Sequence, residues 1–282
     1  MSVAEREGAA RIAAAFDTAR QGAAGASPKR AALMPYVMAG YPTLPESARI
    51  GEACIAAGAD VIELGMPYSD PLADGPVIHA AGTAALAAGA NVAGVLEVAR
   101  TLSAGVPVVL MCYANMVFAP GVEAFVERLA RSGASGLIVP DLPRGEAPEL
   151  LQACDALGLA LVPLVAPTTT DRRMAEIGAD ARGFLYTVSV VGTTGERGAL
   201  SERFEEVVRR AKAATEVPVA LGFGIGTPEQ AAQAADAGAD GVIVGTRLVR
   251  AAAESEQPAE AVGAVLAALA GALAATGRGT DS

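Results

Sequence analysis

Four times along the chain, residues of helical spacing end at a glycine and run on into an apolar segment: AAGAD at 56–60 before VIEL, RSGAS at 131–135 before GLIV, EIGAD at 176–180 before GFLY, and DAGAD at 236–240 before GVIV. Glycine suits the left-handed backbone position just past a helix end, where a Cβ would clash. Each copy therefore predicts a helix, a tight turn and a strand. Further apolar runs at 33–38, 106–111, 159–165 and 217–221 bring the strand candidates to about eight. Helix-length segments at 45–57, 92–103, 122–132, 146–157, 170–177, 202–215 and 228–237 lie between them. Runs that are almost wholly apolar, without alternation, are strands covered on both faces, as in parallel sheets. The pattern predicts an α/β protein, a (β/α)8 TIM barrel with a parallel eight-stranded sheet. A doubly wound open sheet shares the same periodicity, which does not report closure.

No linker divides the 282 residues, so one barrel domain over 1–282 is expected, with frayed ends at about 1–10 and 275–282. The N-terminal stretch carries Glu5, Arg6, Glu7 and Arg11 before any apolar segment, unlike a signal peptide. Ile12 and Phe16, four apart, predict an extra helix there instead. The uncharged stretch 261–276 is shorter than the roughly 20 residues of a bilayer span, so it is expected to be a final packed helix. With 31 acidic against 21 basic residues and a net charge of −10, the chain would repel nucleic-acid phosphates. Cys54, Cys112 and Cys154 are widely spaced and form no CxxC pair, so they predict core thiols in a reducing compartment and no metal site. The expectation is a cytoplasmic protein that binds neither membrane nor nucleic acid.

In a barrel, chemistry belongs at the C-terminal ends of the strands. The seventh run leads into GFGIGTPEQ (222–230), where alternate glycines expose backbone amides and Thr227-Pro228-Glu229-Gln230 spells a capped helix start. The eighth ends in Val244-Gly245-Thr246, again small residues before a helix. Two helix N-termini with free N–H groups aimed at one spot would hold a phosphate dianion. Glycines that merely end strands are the plainer reading of either turn alone. Neither GxGxxG nor GxxxxGK[ST] occurs, which leaves dinucleotide and P-loop readings without their signatures. The glycine-rich stretch 189–198 after the sixth run suits a lid over the substrate, and Thr194 and Gly195 in it offer further donors; an ordinary loop is the alternative.

Glu63 closes the second run and Asp74 lies in the loop that follows. A carboxyl partly desolvated at a barrel mouth is protonated more readily than in water, and a second one in a different environment allows acid and base roles to be divided. The same residues would also serve as turn builders or ion-pair partners.

The stretch ELGMPYSDPLADGPVI (63–78) closely resembles the motif ELGxPxSDPxADGPxI of the tryptophan synthase alpha chain family. PYVMAGYP (35–42), LMCYANMVF (110–118), VPDLP (139–143), GTTG (192–195) and GFGIGTPEQ (222–230) extend the resemblance from about residue 30 to 270. It implies a carbon–carbon lyase that cleaves indole-3-glycerol phosphate to indole and glyceraldehyde 3-phosphate. Indole would pass to a beta chain carrying pyridoxal phosphate, in an alpha2beta2 heterotetramer, with no cofactor in this chain. By the same resemblance Glu63 is the acid/base at indole C3 and the glycerol hydroxyl, Asp74 accepts the indole N–H, and Tyr186 orients Glu63 or the substrate. Tyr36, Met111, Ile138 and Phe223 would line the indole slot. Thr194, Gly195, Gly224, Gly226, Gly245 and Thr246 would hold the phosphate, while Asp70, Pro71, Asn115 and Asp141 would meet the beta chain.

Three positions depart from the family's habit. His79 stands where Gln is frequent, Val190 where some members have Arg, and Arg247 adds a cation beside the second phosphate turn. Rival readings are a stand-alone indole-releasing lyase, another phosphate-binding barrel enzyme, and a non-catalytic activator subunit.

Overall fold

The computed structural model describes residues 7–22, 28–188, 197–222 and 224–274, with backbone alone for residue 7 and residues 197–204. Its strands are β1 (Ala32–Met38), β2 (Ile62–Gly65), β3 (Val108–Met111), β4 (Gly136–Ile138), β5 (Ala160–Leu161), β6 (Leu164–Val165), β7 (Leu185–Val188), β8 (Val219–Gly222) and β9 (Gly241–Val244). All pair in parallel, in the order β5-β4-β3-β2-β1-β9-β8-β7-β6. β5 and β6 are two halves of one extended run, split at Val162-Pro163. Proline has no N–H to give a ladder. Val162 N–H still donates to Leu137 O at 2.9 Å, while Pro163 O accepts from Tyr186 N–H at 3.0 Å, so the run bonds first to β4 and then to β7. The nine short strands thus fill eight barrel positions. The ring is closed, which decides against the open sheet.

Side chains alternate across each strand. Leu33, Ile62, Leu64, Leu110, Leu137, Leu185 and Val242 face outward into the layer under the helices. Ala32, Met34, Val109, Ile138, Phe184, Ala220 and Ile243 face inward and fill the barrel. The helix Glu7–Gln21 plugs the N-terminal mouth with Ile12 and Phe16, both buried, and Phe16 meets Phe184 at 5.9 Å between ring centres. Inward glycines admit these side chains: a Cβ on Gly241 would stand 2.9 Å from Phe16 Cε1. The final helix, Pro258–Leu273, starts three residues earlier than expected, because Pro258 initiates it. It buries Val262, Leu266, Leu269 and Leu273 against the helices Leu44–Ala56, Pro228–Asp236 and Thr246–Ala253.

The repeated glycine turn holds in three of its four copies. Gly58, Gly133 and Gly238 have φ of 97°, 78° and 90°. Gly178 does not; it lies inside the helix Asp171–Ala179, where a Cβ would collide with the carbonyl of Ala214 in the neighbouring helix Arg197–Ala214. The helix Asp171–Ala179 ends at Asp180, φ −96°, and the positive-φ glycine comes later in the connection, at Gly183, φ 71°. The Asp of the motif has its own task. Asp60 accepts Leu33 N–H at 2.7 Å and Asp240 accepts Val219 N–H at 2.9 Å, so each carboxylate secures the start of an adjoining strand. A short helix, Ala114–Phe118, was not expected from periodicity, since five residues are too few to show any. Among the described residues no single helix is long and apolar enough to cross a membrane. The expected frayed ends lie mostly outside the described residues.

Candidate active site

At the C-terminal mouth of the barrel is a cavity of about 500 Å³. Its walls include Tyr36, Glu63, Asp74, Met111 and Tyr186 together with Gly224, Gly226, Gly245 and Thr246, so groups from both expected halves of the site share one space. Parallel pairing explains part of this. Tyr36 on β1 is in register with Glu63 on β2, and both point inward near the mouth.

Glu63 is 2% exposed, and its Oε2 has no hydrogen-bond partner among the described residues. Burial, and secondarily the charge of Asp74, pushes its carboxyl up to about 8. A buried carboxyl without partners keeps its proton because the charged form loses its hydration. At neutral pH it is predominantly the acid.

Asp74 is also raised, by burial, but less simply: the hydrogen bond from Tyr113 and the charge of His79 both favour its ionised form. Tyr113 Oη donates to Asp74 Oδ1 at 3.0 Å and accepts Ala73 N–H at 3.1 Å. The Tyr113 ring stacks on Tyr68 at 5.2 Å, and so ties the loop carrying Asp74 to the end of β3. The two carboxyls thus sit in unlike surroundings. Tyr36 and Tyr186 have phenols raised well above their ordinary range, chiefly by burial, so both are neutral hydroxyl donors. Each ring is housed by a glycine on the neighbouring strand. A Cβ on Gly222 would stand 2.5 Å from the Tyr186 ring, and one on Gly65 would collide with the Tyr36 hydroxyl.

At the glycine turns, Gly224 has φ 82°. The helix Pro228–Asp236 begins with a full capping box, Thr227 with Gln230, as its sequence predicts. The box has a cost at the turn: Gln230 Oε1 accepts the N–H of Gly226 at 2.8 Å and of Thr227 at 3.2 Å, so both amides are already engaged. Gly245 precedes the helix Thr246–Ala253, whose N-terminus opens on the cavity.

Not every expected residue reaches the cavity. Ile138 is fully buried in the barrel interior and is not part of the wall. Phe223, Thr194, Gly195 and the lid stretch 189–196, Val190 included, lie outside the described residues. Asp70, Pro71 and Asp141 fall on the loops that follow β2 and β4, and Asn115 on the short helix after β3, at the same mouth. Asp141 Oδ1 accepts Ala114 N–H at 2.9 Å, capping the short helix that carries Asn115. Ser69 Oγ donates to Asp70 Oδ2 at 2.5 Å. His79 is exposed on the helix Pro76–Ala87.

The wall also holds Ile78, Ile225, Ile243, Arg247 and Arg250, which sequence reasoning did not assign to it. Ile243 is inward by strand parity, and Tyr113 stands two residues after β3, where strand-end inspection would have found it. Arg250 gave no signal; only the helix's direction brings it near. No group of three or more potential metal ligands occurs among the described residues.

Residues 23–277 match the family model described as "Tryptophan synthase alpha chain". The chain is 50% identical over 222 residues to the tryptophan synthase alpha chain of Methanosarcina mazei, covering 79% of this chain and 81% of that one. It is 51% identical over 223 residues to that of a Synechococcus species, covering 78% and 83%. Among solved structures, tryptophan synthase from Mycobacterium tuberculosis superposes with a TM-score of 0.85 at 40% identity, over 94% of this chain and 99% of that one. A structure of the tryptophan synthase a2b2 complex of Pyrococcus furiosus superposes with a TM-score of 0.81 at 34% identity, over 86% and 99%. The chain belongs to the tryptophan synthase alpha chain family.

Proposed function

We propose that this chain cleaves indole-3-glycerol phosphate to indole and glyceraldehyde 3-phosphate. The observation that carries the proposal is a buried Glu63, raised to about 8 and with no partner for its Oε2 among the described residues, sharing one cavity with Asp74 and the glycine turns after β8 and β9. Glu63 gives its proton to indole C3. The ring becomes an indoleninium cation whose N–H faces Asp74, a carboxyl whose ionised form the Tyr113 hydrogen bond favours. Glu63, now a carboxylate, takes the proton of the glycerol hydroxyl next to the ring. The C3–C bond breaks, its electrons restore the indole, and the hydroxyl carbon becomes the aldehyde. Glu63 ends as it began, so the proton count closes.

Tyr36, Met111, Ile78, Ile225 and Ile243 form an apolar slot for the bicyclic ring, and Tyr186 holds Glu63 or the substrate in position. The amides at Gly224 and Gly245, with the N-terminus of the helix Thr246–Ala253, take the phosphate. Gly226 shapes that turn more than it donates. Thr194, Gly195 and Phe223 complete the site in this reading.

A beta chain is the proposed partner, in an alpha2beta2 assembly, with pyridoxal phosphate in the beta chain and no cofactor in this one. Asp70, Pro71, Asn115 and Asp141 share their loops with Leu72, 84% exposed, and Phe118, 41% exposed, two large apolar side chains left facing solvent at the cavity mouth. Three buried, unbonded cysteines suit a cytoplasmic location.

The test is indole release from indole-3-glycerol phosphate, with and without the cognate beta chain. Release that rises sharply on mixing, with co-elution of the two chains, is expected. No indole under either condition would overturn the reaction; an unchanged rate without co-elution would leave a stand-alone lyase.

A further inference from the structure

Arg247 is half-buried in the cavity wall, and its stem lies against the turn after β8: a Cβ on Gly226 would stand 3.5 Å from Arg247 Cβ and 3.9 Å from Cγ. Arg250, one helical turn on, lines the same cavity. The chain's other arginines and lysines commonly bond to carboxylates, as Arg210 does to Asp171 and Lys29 to Asp60. These two have no hydrogen-bond or ion-pair partner among the described residues. Arg247 is also the second residue of its helix, where the positive end of the helix dipole disfavours a cation. A cation with no partner among the described residues, at an unfavourable position in a cavity wall, is explained by an anion that binds there. Such a donor is needed, because Gln230 has taken the amides of Gly226 and Thr227. A chain of net charge −10 also offers no general attraction for a dianion.

We infer that the Arg247 guanidinium is a phosphate-binding side chain of this site, bridging the two glycine turns, with Arg250 adding charge at the rim. The inference rests on the proposed reaction for its substrate, though not for its chemistry: a guanidinium fork matches two oxygens of any phosphate monoester.

Two measurements on the whole chain test it: indole-release kinetics, and binding of inorganic phosphate by calorimetry, each for wild type, Arg247→Ala and Arg247→Lys. A hydrogen-bonded charge pair corresponds to about a 10-fold change in affinity. Arg247→Ala is therefore expected to raise KM and weaken phosphate binding about 10-fold each, with a much smaller change in kcat, and Arg247→Lys to recover part of both. Unchanged KM and unchanged phosphate binding in Arg247→Ala would overturn the inference while leaving the lyase reading intact. If wild type releases no indole, the lyase reading fails, and the phosphate titration still decides for or against Arg247.

Discussion

Glu63 is the acid of the proposed reaction, and its burial has a measurable consequence for stability. Its carboxyl titrates at about 8 when folded, against roughly 4.3 in an unfolded chain. Between those values the folded state keeps a proton that the unfolded state has lost. The stability from neutral Glu63 is thus complete below about pH 4.3 and declines as pH rises, by up to about 1.4 kcal/mol per pH unit, until the folded carboxyl ionises. Glu63→Gln removes this dependence. Relative to wild type it should gain stability between pH 5 and pH 8 in chemical denaturation, while indole release falls by about 10²- to 10⁴-fold. An equal stability difference at both pH values would refute the buried-acid account, and full indole release by Glu63→Gln would show that Glu63 is not the proton donor. Glu63 and Asp74 were legible in the sequence because they stand in a long motif at a strand end. Tyr113 as the partner of Asp74 was not, since that bond joins residues 39 apart and depends on how the loop folds back.

Among the elements, the strands place the site and inward glycines set its dimensions. Gly222 ends β8 beside the Tyr186 ring, with no room for a methyl group. Gly222→Ala should therefore cost about 1–3 kcal/mol, as overpacking does, and lower kcat/KM through a displaced Tyr186. Gly271 is the control. It sits in the helix Pro258–Leu273, and a methyl group added there would meet nothing within 4 Å, so Gly271→Ala should stabilise by about 0.5–1 kcal/mol and leave indole release unchanged. Thermal melts and steady-state assays on the pair distinguish a packed site from a general sensitivity to lost glycine. The repeat GAD was readable as a turn, but the two physical uses of its glycine were not. Gly58 needs its backbone angle, whereas Gly178 needs closeness to Ala214, and both look alike in sequence.

For the whole molecule, the two mouths of the barrel divide stability from chemistry. Phe16 and Ile12 seal the N-terminal mouth, far along the strands from Glu63 and the glycine turns. Phe16→Ala should cost about 3–5 kcal/mol of stability in denaturant titrations. Well-separated sites behave independently, so KM should stay within about a factor of two under conditions where the variant is folded. A large change in KM there would show that the two mouths are coupled. The periodicity of apolar runs determined by itself that strands and helices alternate, because burial on both faces demands continuous apolar strands. The glycine turns and paired carboxylates likewise marked where the proposed phosphate and proton donor meet the cavity. Only the tertiary structure decided that the sheet closes, that Ile138 is buried outside the cavity wall, and that Gln230 occupies two amides while Arg247 and Arg250 line the same space. Each of these depends on contacts between distant segments, whereas sequence pattern records only the demands a residue meets along its own strand or helix.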